Sequence, residues 1–423
     1  MKRILFALGA TILALAVGLL QTPPESLAKQ DCRAWERSQR HSEGRDDREG
    51  VARSAIDRLA GDDEHDGQHR WKADACMRLN HVQVLGTHNS YHVEPRPALL
   101  QAIASFDPQA AASMEYTHRP LDEQFGLLGI RQVELDVFAD PNGGLFAVPL
   151  GPIFVQGYPD PIKPELVAPG LKVLHTQDID FETRCLTFVS CLQTIKAWSD
   201  ANPDHLPVMV LVEAHDEAIP SPPGLPPFTV PVPFGPAALD QIDADIRSVF
   251  SDDDQLITPD DVRGHRATLE RAVLKDGWPT LKESRGRLLF ALDNTDLKRD
   301  LYLAGHPSLK GRALFTSSPP GSPESAFVKV NDPIANQEYI AQLVEAGYIV
   351  RTRADENTIE ARFGLTVRRD AALASGAQFV STDYPEPDPD FPAGYFVEIG
   401  DAPNARCNPV LSPPRCDSSA LEP

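Results

Sequence analysis

The sequence predicts an α/β fold, a TIM-type (β/α)8 barrel with Pro-rich apolar loops at its C-terminal rim. Three observations carry that expectation. Short apolar, β-branched runs recur eight times between residues 74 and 399, each ending in polar residues. Helix-forming stretches lie between them. The turn after the first run, Gly86-Thr87-His88-Asn89, is not the Gly-rich phosphate turn that an open doubly wound sheet usually carries.

The runs are 81–86, 130–137, 171–174, 207–212, 287–292, 312–315, 348–350 and 377–380. They lack strict alternation, which fits strands buried on both faces of a parallel sheet. Helical patterns at 191–199, 237–250, 333–345 and 366–375 supply crossovers. Two connections, 146–170 and 218–236, are rich in Pro and apolar residues and are not regular helices.

Outside 74–399 the composition changes. Lys2 and Arg3 precede an uncharged apolar stretch from Ile4 to Leu20, and Ser26-Leu27-Ala28 offers small residues for cleavage. Residues 1–28 therefore read as a signal peptide and the mature chain as exported, periplasmic or extracellular. Residues 29–73 form a polar arm and 400–423 a tail. The six cysteines, Cys32, Cys76, Cys185, Cys191, Cys407 and Cys416, all lie beyond the cut, and none forms a CxxC pair. In an exported chain an even number favours disulfides over a metal site. Cys185–Cys191 and Cys407–Cys416 would close small loops, leaving Cys32–Cys76, although spacing alone does not choose the pairing. The net charge of −21 and pI near 4.9 argue against nucleic acid and against an anionic membrane held by bulk electrostatics. No protein partner is implied.

The polar residues that end the runs form a chemical set. His88 and Asn89 end the first, Glu134 and Asp136 share one face of the second, and His175 and Glu213 end the third and fourth. Arg351 and Arg353 end the seventh. In a β/α barrel these ends form one rim. Asn89, Glu134, Asp136 and Glu213 are hard oxygen donors, and so many protein oxygens lean towards Ca²⁺ rather than Mg²⁺. Two imidazoles beside such an ion supply proton transfer, and the arginines supply a clamp for phosphate. Together they describe cleavage of a phosphate ester.

The segments LNHVQVLGTHNSYH (79–92), RPLDEQFGLLGIRQVELDVFADPNGG (119–144), LKVLHTQDIDF…VEAHD (171–216) and FVSTDYPEP (379–387) resemble bacterial calcium-dependent phosphatidylinositol-specific phospholipase C. The resemblance covers most of 74–399 and is most specific in GTHNSYH and ELDVF. It implies catalytic His88 and His175, Ca²⁺ on Asn89, Glu134, Asp136 and Glu213, and a phospholipid substrate at a membrane or micelle surface. Cleavage of phosphatidylinositol to diacylglycerol and an inositol (cyclic) phosphate is the implied activity. Arg351 matches the family's substrate arginine loosely, and Arg353 is the alternative. Eukaryotic relatives place lysines on strand five to grip ring phosphates. Here the fifth run reads RLLFALDN (287–294), which favours an unphosphorylated ring, with Lys329 or Arg353 as the remaining basic candidates. A glycerophosphodiester phosphodiesterase, whose usual opening is His-Arg-Gly rather than His88-Asn89-Ser90, and a non-catalytic lipid- or metal-binding barrel are the rivals.

In the Pro-rich loops, Ile153, Phe154, Val155, Phe228, Val230, Val232 and Phe234 are candidates for an apolar rim that meets lipid. The alternative is that they fold back as core cover.

Overall fold

The structure is a computed structural model describing Cys32 and residues 74–422, apart from 160–162, 222–223, 225, 252, 401–404 and 414–415. The chain divides into two compact units, 1–61 and 62–423, and the architecture below is that of the second. The expected signal peptide and, Cys32 apart, the polar arm fall outside the described residues.

The strands are β1 (Val82–Thr87), β2 (Gln132–Phe138), β3 (Lys172–Val173), β4 (Val208–His215), β5 (Leu288–Leu292), β6 (Leu314–Thr316), β7 (Phe327–Lys329), β8 (Ile349–Arg353), β9 (Phe379–Thr382) and β10 (Ala405–Cys407). Eight of them pair in the order β6-β5-β4-β2-β1-β9-β8-β7. The pairs from β6 round to β7 are parallel. A parallel bridge from Ser317 to Phe327 joins the two ends, so the sheet closes into the expected barrel. The strands are buried on both faces, which is why their sequences read as apolar runs; Val208–Val212 of β4 have no exposed surface. β1 and β2 approach closely at Gly86, where an added Cβ would lie 2.1 Å from Gln132 Oε1.

Helices Phe188–Ala201, Pro236–Val249, Asp296–Leu303, Pro333–Ala346 and Val367–Ala374 cover the barrel. Their ends are written locally. Thr187 and Ser190 form a capping box, and Asp332 accepts from the amides of Ile334 and Ala335 ahead of Pro333.

One expected strand is replaced by another. The run at 171–174 is not a barrel strand: Lys172–Val173 pairs antiparallel with Val137–Phe138 at the end of β2. It read as a strand because both residues are fully buried. The missing member is β7, three residues long. No helix among the described residues separates it from β6, so the alternation that marked the others fails there. The run at 287–292 is accordingly the fourth barrel strand, and the fifth is β6.

The Pro-rich loops are packed walls. Phe228 and Phe234 are buried, and Val155 and Val232 pack against apolar clusters, so these four follow the alternative in which the loops fold back as core cover. Ile153 and Val230 remain exposed, and the Phe154 side chain is not described. Buried Asp178 ties the loops together, accepting from Leu150 N at 3.0 Å and from Thr229 N at 2.6 Å. A second apolar set, absent from the sequence expectation, follows β7 and β8. Ile334, Ile359, Phe363, Leu365 and Val367 are all exposed, Phe363 by 70%.

Cys185–Cys191 and Cys407–Cys416 are disulfides, and Cys32 and Cys76 are also disulfide-bonded. The tail straps the N-terminal end of the barrel. β10 pairs antiparallel with Val82–Val84, and Glu422 bonds Arg131 and the amide of Leu206. No described helix is long and apolar enough to cross a membrane.

Candidate active site

The C-terminal ends of the strands hold a carboxylate cluster. Glu134 and Asp136 project inward from β2, and register places Asp136 beside Glu213 of β4. Asp293 follows β5 and donates its amide to Val212 O, which sets it next to Glu213 on the other side. Oxygens of Glu134, Glu213 and Asp293 lie within 4.8 Å of one another, and so do ligand atoms of Asp136, Glu213 and His215. Tyr91 Oη donates to Asp136 Oδ2 at 2.7 Å and leaves Oδ1 without a hydrogen-bond partner among the described residues. Asn89, at a positive φ of 44°, donates Nδ2 to Tyr116 Oη, and its buried Oδ1 is likewise unpartnered. Its neighbour Ser90 donates its amide to Glu134 O.

Buried oxygens without donors are costly unless a cation meets them. Burial drives the Glu134 pKa up to about 8 against the pull of Arg351, and Asp293, Asp136 and Glu213 push it the same way. His215 Nε2 stands 3.4 Å from both Asp136 and Glu213. Burial opposes its charge, but these two carboxylates raise its pKa to about 11. The orphaned Asn89 and Asp136 oxygens and the crowded carboxylates are a donor set suited to a hard divalent cation, and calcium fits it.

Two imidazoles flank the cluster, each anchored through Nδ1 on an aspartate. His88 Nδ1 lies 2.8 Å from Asp383 Oδ1, and its Nε2 accepts from Arg353 Nη1 at 3.2 Å. Burial and then Arg353 lower its pKa to about 4. His175 Nδ1 lies 2.6 Å from Asp180 Oδ2. Burial works against protonation, yet the hydrogen bond and charge of Asp180 outweigh it and the pKa is raised. Asp180 is itself held by His92 Nε2 at 2.9 Å, and His92 Nδ1 donates to Tyr116 O at 2.9 Å. His175 is thus the half-buried outer end of a His–Asp–His chain whose other members are fully buried. It sits on the excursion after β3, where Thr176 and Asp180 bridge, and not on a barrel strand as expected.

The basic residues divide. Arg351 is 1% exposed, and its three nitrogens donate to Ser381 Oγ, Asn331 Oδ1 and Glu134. It holds a carboxylate of the cluster in place. Arg353 donates to Asp383 Oδ2 at 3.0 Å and to His88. Lys329, at the end of β7, bonds Asp293. The run RLLFALDN at 287–294, which contains β5, carries no lysine.

Sequence reasoning passed over Asp180, Asp383, His92 and His215. Each had a signal. His215 shares the face of Glu213 two residues on, His92 closes THNSYH, Asp180 follows His175 by five residues, and Asp383 lies in STDYP.

A family model described as phosphoinositide phospholipase C, Ca²⁺-dependent, matches residues 77–409. No curated protein matches the chain significantly. Among solved structures, a calcium-dependent phosphoinositol-specific phospholipase C from Pseudomonas sp., a myoinositol complex, is 14% identical. It covers 78% of this chain and 95% of its own, with a TM-score of 0.48. The calcium-dependent phosphatidylinositol-specific phospholipase C of Streptomyces antibioticus is 18% identical over 73% and 95% of the two chains, with a TM-score of 0.44. The match over 77–409 spans most of the barrel, and the chain belongs to the calcium-dependent phosphoinositide phospholipase C family of phosphodiesterases.

Proposed function

We propose that the chain cleaves phosphatidylinositol to diacylglycerol and an inositol cyclic phosphate, which water then opens in part. The observation that carries this reading is the pairing of two aspartate-anchored imidazoles across one carboxylate cluster. Holding nucleophile and phosphorus in one substrate makes the attack effectively unimolecular. The inositol 2-hydroxyl loses its proton and forms the new bond to phosphorus. The bond from phosphorus to the glycerol oxygen breaks, and that oxygen takes a proton to leave as diacylglycerol.

His175 Nε2 is the ring nitrogen left open by the Asp180 anchor, and it donates to the leaving oxygen. His88 Nε2 is unprotonated where it accepts from Arg353, and once a phosphoryl oxygen draws that N–H away the freed lone pair fits the proton-accepting side, together with the carboxylates Glu134 and Glu213. Arg353, beside His88, is placed for a phosphoryl oxygen. Asn89, Glu134, Asp136 and Glu213 would hold the calcium ion, which when bound supplies positive charge against the developing phosphoryl charge.

The substrate ring is unphosphorylated. In support, the run RLLFALDN, which contains β5, has no lysine and the Lys329 ammonium is committed to Asp293. Residues 1–28 are a signal peptide for export, consistent with disulfides and no free thiol among the described residues. The chain docks on lipid through the exposed apolar side chains after β7 and β8, on the side of the barrel where the site opens. His88→Ala and His175→Ala variants, assayed on phosphatidylinositol and on glycerophosphoinositol, test the reading. Each is expected to lose about 10²–10⁴-fold in turnover of the intact lipid. Near-wild-type turnover of both, or a preference for glycerophosphoinositol, overturns it.

A further inference from the structure

Asp293 lies outside every motif that carries the family resemblance. It is 2% exposed, and Lys329 occupies its Oδ2. Its Oδ1 is buried and has no hydrogen-bond partner among the described residues. That oxygen belongs to a carboxylate with an atom within 4.8 Å of both Glu134 and Glu213. Calcium binds oxygen at about 2.3–2.6 Å, so two ligands of one ion stand at most about 5 Å apart. The spacing of these three carboxylates meets that limit. Two of these carboxylates, Glu134 and Asp293, are buried and Glu213 is half-buried, so at this distance they repel one another unless a cation meets them.

The charges around the cluster point the same way. Arg351 is paired with Glu134 and Lys329 with Asp293. Asp136 and Glu213 share one imidazole, His215, at 3.4 Å from each, so even with that ring charged the two carboxylates keep a net negative charge for a cation to meet. Asp293 adds an oxygen without adding net charge, because Lys329 cancels it.

We propose that Asp293 is a fifth protein oxygen at the calcium site and that Lys329 is the counter-charge limiting how strongly it donates. The proposal rests on the reading of Glu134 and Glu213 as calcium ligands. Five protein oxygens would leave about one to three of calcium's six to eight positions for substrate. They would also favour calcium over magnesium, which usually keeps several waters.

Calorimetric titration of Ca²⁺ into the full chain, without substrate, tests this, with melting temperature recorded in EGTA. Asp293→Asn is expected to weaken calcium binding by about tenfold or more. Lys329→Met is expected to tighten binding, since the freed carboxylate then faces the ion alone, and unchanged affinity overturns the role given to Lys329. Glu213→Gln serves as the control for the underlying reading. If Glu213→Gln weakens calcium binding and Asp293→Asn does not, this inference fails and the ligand reading stands. If Glu213→Gln also has no effect, the ligand reading itself fails. Should Asp293→Asn not fold, the double variant D293N/K329M removes both members of the pair. It must then bind calcium more weakly than Lys329→Met alone, and equal affinity overturns the proposal. A pair that is purely structural predicts lower melting temperatures in EGTA for both single variants, with calcium affinity unmoved.

Discussion

Replacing Asp180 by Asn tests the His–Asp–His chain with little steric change. His92 Nδ1 faces a backbone carbonyl and must carry a proton, so in the variant a neutral His92 offers a lone pair at Nε2. The new amide nitrogen can donate to that lone pair, and the amide oxygen can still accept from His175 Nδ1. Orientation and tautomer of His175 are therefore kept, while the negative charge is lost. In the native protein the Asp180 hydrogen bond and charge raise the His175 pKa against burial. Without them burial prevails and the pKa falls. A general acid acts only when protonated, so activity is lost as pH rises through its pKa. The alkaline limb of the kcat profile should therefore move to lower pH in the variant. Turnover near neutrality should fall roughly tenfold to a hundredfold, the lower part of what a general acid contributes. Asp180→Ala removes the acceptor as well and should fall further, towards about 10⁴-fold. The assay is the pH dependence of kcat on short-chain monomeric phosphatidylinositol at saturating calcium, with KM recorded separately. An Asp180→Asn enzyme with an unmoved alkaline limb and turnover within about twofold of wild type would refute the assignment of His175 as the acid.

Phosphatidylinositol should be cleaved at least about tenfold faster than its 4,5-bisphosphate, about 1.4 kcal/mol of discrimination; equal rates on mixed micelles would mean that Lys329 leaves Asp293 to meet the ring phosphates. The double variant F363S/V367S should bind vesicles about tenfold more weakly, because burying one Phe or Val is worth about 1.5–3 kcal/mol. Its melting temperature and its turnover of monomeric substrate should be unchanged, and loss of both would show these side chains to be structural. Phe228→Ser should instead lose stability by about 3–5 kcal/mol, as a buried Phe leaves a cavity; an unshifted melting curve would contradict its packing.

The legible parts of the molecule were those in which one short run of sequence encodes both strand and chemistry. His88 and Asn89 follow a buried apolar run directly, and Glu134 and Asp136 share a face by period-two alternation, so both fold and candidate ligands could be read. Residues that act through a neighbour were harder. Asp180 and Asp383 are defined by what they anchor, and Asp383 meets His88 across a sequence separation of 295. β7 is not legible in the sequence because three residues after a helix-free turn leave no periodic signal. Lys172–Val173 reads as a barrel strand in the sequence because burial looks the same in a parallel and an antiparallel partner. In the Pro-rich loops composition stated that the side chains are apolar but not which way they face. Phe228 is buried next to Thr229, whose amide donates to Asp178 on the excursion after β3, a tie that composition does not reveal. The apolar segment after β8 is interrupted by charged residues, and its exposure became visible only in three dimensions.

The central claim, calcium-dependent intramolecular cleavage of phosphatidylinositol, is tested most directly by following phosphorus-31 resonances during turnover. With calcium present, the account predicts loss of the lipid diester signal and the appearance of an inositol cyclic phosphodiester. With excess EGTA neither change should occur, and added calcium should restore both. Continued loss of the lipid signal in EGTA, or a glycerophospho product in place of the cyclic diester, would contradict it.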